Sequence, residues 1–219
     1  MNNRYYRFVC FGDSLAAQRD DDSLTNESRW PFLVQKSLNC SLLDLSRPYR
    51  TTNDLKSILN ADLSDTDYLI IQLGIVDCAP RRFSRLENAI IYRLPAFITK
   101  RIMSFLKKMR IQSNKRVYVQ KDQFKVNITN IIERYPGNIL YVKILPATNI
   151  LKQKNPLIND NIIEYNKILD ELELKYKTFQ TVEIHKSDID SFTLDDGYHL
   201  SKKGHVHLSK LIISKFLKN

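Results

Sequence analysis

The stretch that most limits what this chain can fold into is residues 67–74, Asp-Tyr-Leu-Ile-Ile-Gln-Leu-Gly. A strand with one face in water alternates apolar and polar side chains, because successive residues point to opposite faces. Here the apolar residues run on without clean alternation. Such a strand is covered on both faces, as in a parallel sheet packed between helices. Comparable short runs occur at 5–11, 41–45, 138–145 and 179–185. Helical patterns separate them. Trp30-Pro31 opens a helix through Leu38, with Pro31 suited to a first helical position. Residues 54–59 follow, capped by Thr52 or Asn53. One or two helices are expected over 84–112, interrupted near Pro95, with Leu94, Phe97, Ile98, Ile102, Phe105, Leu106 and Met109 at helical spacing. Further helices are expected over 121–134, 160–176 and 202–217, the last capped by Ser201. Strands alternating with helices predict an α/β fold, a three-layer α/β/α sandwich around a parallel sheet of about five strands.

The chain has 219 residues, 43% of them hydrophobic, with 5 glycines and 7 prolines, so a single domain spanning 1–219 without long flexible linkers is expected. No apolar run approaches the ~18 residues that would cross a bilayer. The first residues enter a strand at once, which leaves no room for a secretion signal and points to the cytoplasm. The three cysteines, Cys10, Cys40 and Cys78, are odd in number and lack C-x-x-C spacing, the pattern of free thiols rather than disulfides. The acidic run Asp20-Asp21-Asp22 reads as a solvated loop. His205 and His207 sit two apart on a helix and point away from each other, so no metal or other cofactor is expected.

Chemistry concentrates at the two ends of the chain. The first strand stops at Gly12-Asp13-Ser14, which places a serine at the C-terminal tip of a strand, where open α/β sheets hold their ligands. Near the other end, Asp196-Gly197-Tyr198-His199 puts a carboxylate three residues before a histidine, just ahead of the final helix. A serine hydroxyl is a weak nucleophile until a neighbouring imidazole takes its proton. An aspartate beside that imidazole fixes its tautomer and stabilises the imidazolium. Nucleophile first, then acid and base together, is a workable order for such a constellation.

The same residues resemble the SGNH/GDSL hydrolase family, a flavodoxin-like α/β class of esterases, lipases, deacetylases and some acyltransferases. Phe11-Gly12-Asp13-Ser14-Leu15 resembles the family's first block, and Trp30-Pro31 a pair often seen in its first helix. Asp196-Gly197-Tyr198-His199-Leu200-Ser201 with Gly204-His205 resembles its last block. The resemblance implies Ser14 as nucleophile, His199 as base and Asp196 as the residue that orients it. Two middle blocks depart from the family. Tyr49, within Pro48-Tyr49-Arg50-Thr51-Thr52, stands where the family has a glycine, and Val76 stands where Gly-x-Asn-Asp has its asparagine. Gly74 and Asp77 of that block are kept. In the family the backbone N–H groups of the serine and glycine and the asparagine side chain hold the oxyanion. Tyr49 keeps its N–H, while Val76 has no side-chain donor. Arg47, Arg50 and Arg81 are the candidates to fill the gap, with Arg81 first because it leaves the same strand end as Val76 and Asp77.

What the resemblance implies is a serine esterase or deacylase that removes an acyl group, such as acetyl, from a small acyl ester or from a glycan or lipid-linked substrate. Two alternatives stay open: an O-acyltransferase delivering to a sugar hydroxyl, and a catalytically weakened binding protein of the same fold. Charge suggests a further partner. Residues 81–125 carry 13 Lys/Arg against Glu87 and Asp122, a net of +11, whereas the remaining 21 basic and 22 acidic residues nearly cancel. This basic helical insertion, running from Arg81 to Lys125 and bearing an apolar stripe, suits peripheral contact with an anionic membrane surface. Nucleic acid is not the expected partner, since no recognised binding module is present.

Overall fold

In a computed structural model, the structure describes residues 6–18, 24–61, 63, 65–81, 84, 87, 90–91, 93–101 and 116–217. Five strands, β1 (Arg7–Gly12), β2 (Ser41–Asp44), β3 (Tyr68–Gln72), β4 (Asn138–Val142) and β5 (Phe179–Val182), form one sheet in the order β2-β1-β3-β4-β5. All four pairings are parallel, and the order is that of flavodoxin-like folds. The order reverses between β1 and β3, and it is there that Ser14 leaves the tip of β1.

The helices are α1 (Trp30–Leu38), α2 (Lys56–Leu59), α3 (Ile75–Cys78), α4 (Lys121–Arg134), α5 (Asn149–Lys154), α6 (Ile158–Lys175), α7 (Ile189–Phe192) and α8 (Lys202–Leu217). α1 packs on α8, whereas α4 packs on α6 and on the turn at 52–55. Right-handed crossovers put these two groups on opposite faces of the sheet. The central strands are therefore dry on both sides: Phe8 to Gly12 and Leu69 to Gln72 are all buried. Trp30 links one helical layer to the sheet, its Nε1 donating to Gln72 Oε1 at 2.7 Å. Its backbone N–H donates to His205 Nδ1 at 3.2 Å, so His205 is a structural residue, and His207 stacks on Phe192 with ring centroids 4.2 Å apart. Cys10, Cys40 and Cys78 are free and buried.

Several boundaries differ from those read in the sequence, each for a physical reason. β3 stops at Gln72 because its partner β1 ends at Gly12, although Leu73 remains buried. β4 ends at Val142 rather than 145. Beyond it the Asn166 side-chain amide takes over at Ile144, accepting from its N–H at 3.0 Å and donating to its carbonyl at 2.8 Å. The loop expected after Gly74 is instead the single turn α3, and Gly74 enters it at φ 121°, a conformation L-residues rarely adopt. The cap before α2 is Thr51, which forms a reciprocal capping box with Asp54 around a 3-10 turn at Thr52–Leu55. The short helices α5 and α7 have no counterpart in the sequence reading.

The basic insertion is only partly described. Residues 96–101 are helical after Pro95, whose carbonyl accepts from the N–H groups of Ile98 and Thr99. Ile102, Phe105, Leu106 and Met109 of the expected stripe lie outside the described residues, as does Asp20-Asp21-Asp22. Among the described residues no helix is long and apolar enough to cross a membrane.

Candidate active site

At the tip of β1 the chain turns sharply. The Asp13 N–H still donates to Gln72 O at 3.1 Å, but the Asp13 carbonyl accepts from Ala16 N and Ala17 N, and its Oδ1 accepts from Leu15 N at 2.9 Å. This local side-chain-to-backbone bond folds the chain back on itself. Ser14, between Asp13 and Leu15, is thereby lifted off the end of the strand. The Asp13 carboxyl is wholly buried and its Oδ2 has no hydrogen-bond partner among the described residues. Burial pushes its pKa up to about 7, the Leu15 N–H pulls it down, and the charge of Asp77 raises it further.

The acid–base pair comes from the loop between α7 and α8. Thr193 and Leu200 bridge antiparallel, and the Leu194 N–H donates to His199 O at 2.8 Å, closing a tight turn. Gly197 sits in it at φ 72°, where an added Cβ would lie 2.6 Å from Thr148 Oγ1. Asp196 Oδ1 accepts from Tyr198 N at 2.8 Å and from His199 N at 2.9 Å. Its Oδ2 lies 2.7 Å from His199 Nδ1. Partial burial works to raise the Asp196 pKa, but the bonds from the His199 ring and from the two amides outweigh it and hold the carboxyl below its ordinary value. On the far side of the ring, His199 Nε2 is 3.2 Å from Ser14 Oγ. The structure thus brings Ser14, His199 and Asp196 together across 185 residues of sequence.

Two residues that the sequence reading passed over support this turn. Thr148 Oγ1 donates to Gly197 O at 2.7 Å while accepting from Leu151 N as the cap of α5. Lys154, on the same helix, donates to Asp196 O at 3.0 Å. The local signal for them was a Thr-Asn pair after Pro146-Ala147, an ordinary helix-start pattern.

The middle blocks form the opposite wall. The Arg47 N–H donates to Gly12 O at 3.0 Å, which ties the loop after β2 to the tip of β1. Tyr49 adopts φ 64° and is 83% exposed; a left-handed tyrosine stands where the family has glycine. Val76 is buried in α3. Gly74 is buried at the start of that turn, and Asp77 is buried within it with Oδ1 accepting from Thr52 N at 2.9 Å and from Thr52 Oγ1. Asp77 therefore joins the two departing blocks to each other. Arg81 follows, its N–H donating to Arg116 O at 2.8 Å and its guanidinium lying over the Tyr118 ring at 4.9 Å. Its Nε is buried without a partner among the described residues. Tyr198 is half-buried and stands edge-on to the His199 ring with centroids 4.7 Å apart; burial raises its phenol well above the ordinary value, and the Arg81 charge works against that rise. Among the described residues no three His, Cys, Asp or Glu side chains are grouped as metal ligands.

A family model described as GDSL-like lipase/acylhydrolase matches residues 10–207. Among solved structures, the chain is similar to a lipase/acylhydrolase from Enterococcus faecalis, with TM-score 0.66 and 19% identity over 96% of this chain and 94% of that one. A G-D-S-L family lipolytic protein from Veillonella parvula gives TM-score 0.63 and 10% identity over 98% and 100%. A catalytic mutant of an acetylxylan esterase from Geobacillus stearothermophilus gives 0.56 and 16% over 95% and 93%. No curated protein sequence matches the chain.

Proposed function

The chain belongs to the GDSL-like lipase/acylhydrolase family, which makes it a hydrolase, and we propose that it is a serine esterase that removes an acyl group through a Ser14 acyl-enzyme. The observation that carries this reading is the continuous path from Asp196 Oδ2 to His199 Nδ1 at 2.7 Å and from His199 Nε2 to Ser14 Oγ at 3.2 Å. Asp196 fixes the tautomer with the proton on Nδ1, which leaves Nε2 free to accept from Ser14. Ser14 Oγ attacks the ester carbonyl carbon as its proton passes to Nε2. The tetrahedral oxyanion collapses, the alkoxide takes the proton from His199, and the acyl group stays on Ser14. Water repeats the sequence, with His199 again the base, and releases the carboxylic acid.

The oxyanion needs donors aimed at it before the reaction begins. The N–H groups of Ser14 and Tyr49 serve as two. The left-handed turn at Tyr49 supports this assignment, since it reproduces the backbone that a glycine would adopt there. Val76 offers nothing, and Arg81 takes the third place. Its Nε, buried without a partner among the described residues, supports that choice. The acyl group is acetyl and its carrier a glycan; the shared fold of an acetylxylan esterase favours this choice. The test is hydrolysis of 4-nitrophenyl acetate and of an acetylated oligosaccharide. Turnover of both that disappears in Ser14→Ala is the expected result. Undiminished turnover in that variant would remove Ser14 from the mechanism.

A further inference from the structure

In the segment that follows β2 lies an open cleft of about 390 Å³ lined by Arg47, Tyr49, Arg50, Asp54, Lys56 and Ser57 among others. Because β1 and β2 are parallel neighbours, this segment emerges at the same end of the sheet as Ser14. Two contacts fix it to β1: the Arg47 N–H on Gly12 O, and the Arg50 guanidinium stacked over the Phe11 ring at 3.9 Å. Phe11 and Gly12 are three and two residues ahead of Ser14. The left-handed Tyr49 turns the chain between the two arginines, so that both line the cleft. A bulky residue in a sparsely populated conformation persists only where its surroundings over-determine it, and such positions cluster at ligand-binding sites.

The charges in this cleft do not cancel. Arg47, Arg50 and Lys56 face one carboxylate, Asp54, whose Oδ2 already accepts from Thr51 N at 2.8 Å and Thr51 Oγ1 at 3.1 Å. Asp44, the other acid near Arg50, is held by Arg29 Nη1 at 2.9 Å and by Ser46 N at 3.0 Å. Arg50 Nη1 is buried with no hydrogen-bond partner among the described residues. A guanidinium N–H withheld from water and left without an acceptor is costly in a folded protein. Burial and the neighbouring Arg47 both press the Arg50 pKa below its ordinary value. The two arginines line one cleft with Lys56. An anion would satisfy them, and a guanidinium binds carboxylate or phosphate in a planar, two-pronged fashion.

We propose that Arg47, Arg50 and Lys56 form a subsite for a carboxylate or phosphate group on the substrate, so that the esterase acts on acylated molecules that are themselves anionic. The assignment rests on the esterase reading of Ser14 for its role, though not for its chemistry. The anion enters from solvent and seats on the Arg47, Arg50 and Lys56 side chains that line the cleft. The acyl ester it carries is then held at the strand tip next to Ser14.

Two measurements on the full chain test it. In the first, inorganic phosphate is titrated into wild type, Arg47→Gln, Arg50→Gln and Lys56→Gln, and the thermal midpoint is followed. The midpoint should rise with phosphate in wild type and rise less in each variant. Three single changes at different positions guard against one of them merely failing to fold. In the second, acetate esters are compared as a matched pair, 4-acetoxybenzoate and its neutral counterpart 4-acetoxybenzamide. The wild type should prefer the charged ester by about tenfold or more in kcat/KM, the scale of one charge-assisted bond. The preference should fall with salt as the cleft is screened. In the three variants the ratio of kcat/KM for the charged ester to that for the neutral one should fall toward unity. Phosphate binding without any ester preference would make this a free-anion site and overturn the substrate assignment. Equal phosphate response in wild type and all three variants would overturn the site itself. Phosphate binding that the variants lose, with neither ester hydrolysed, would uphold the site and contradict the esterase reading instead.

Discussion

The two walls of the site use their polar groups in opposite ways. In the wall formed by 193–201, both Asp196 carboxylate oxygens are bonded, the Gly197 carbonyl is held by Thr148, and the Asp196 carbonyl is held by Lys154. In the wall formed by 46–52 and 74–81, Tyr49 is left-handed, Val76 offers no donor, and buried nitrogens of Arg50 and Arg81 have no partner among the described residues. The first wall is complete before any substrate arrives. In the proposals made above, the second is completed by the negative charge of a bound ligand. A site built this way keeps its proton-transfer geometry fixed and leaves its recognition of charge to be satisfied by the ligand.

Changes in the first wall should therefore do the most damage. His199→Ala is expected to cost at least about 10³-fold in kcat for an aryl acetate, and adding Ser14→Ala should cost little more, because the members of such a unit are not additive. Measured additivity would place His199 outside the unit. Asp196→Asn should cost roughly 10²–10⁴ in kcat, because the amide favours the wrong histidine tautomer. In the second wall, Arg81→Ala should lower kcat by at least about tenfold with a smaller change in KM, the sign of a donor used mainly in the transition state. A change confined to KM would move Arg81 from oxyanion to substrate binding.

The two carboxyls nearest the serine extend the contrast, and pH separates them. Asp196 is held below its ordinary value, so its contribution to stability is present above that value and is lost as pH falls through the folded-state value. Asp13 is raised from 3.8 to about 7. Between those values the folded chain binds more protons at Asp13 than the unfolded chain does, so this group's contribution falls as pH rises through that window. Asp13→Asn should flatten the decline in urea midpoint between pH 4 and pH 7, a modest effect beside the catalytic ones. An unchanged slope would mean that Asp13 is ionised throughout.

The complete wall was also the more legible in the sequence. Asp196 and His199 are three residues apart, and the turn that joins them is local. α4 and α8 were read with the bounds they have, because their signals are local: apolar periodicity in both, and for α8 the cap Ser201, whose Oγ accepts from Gly204 N at 3.2 Å. What the sequence hid was mostly long-range. Asp77 meets Thr52 across 25 residues, Thr148 meets Gly197 across 49, and Arg50 covers Phe11 from another strand's loop. The end of β4 was misread for the same reason: Ile144 and Leu145 stay buried and apolar, but an asparagine from α6 replaces the ladder there. Apolar patterning reports burial. It does not report which partner supplies the hydrogen bonds.

The central claim is that Ser14 is activated by a histidine held ready in the unliganded protein. A fluorophosphonate probe tests it without knowledge of the substrate, because the probe reports an activated serine and makes no demand on the acyl group or its carrier. Labelling followed by peptide mass mapping should place one adduct on Ser14. The adduct should be absent in Ser14→Ala, strongly reduced in His199→Ala, and retained in Arg47→Gln. An unlabelled wild-type protein, or an adduct on any other serine, would contradict the account.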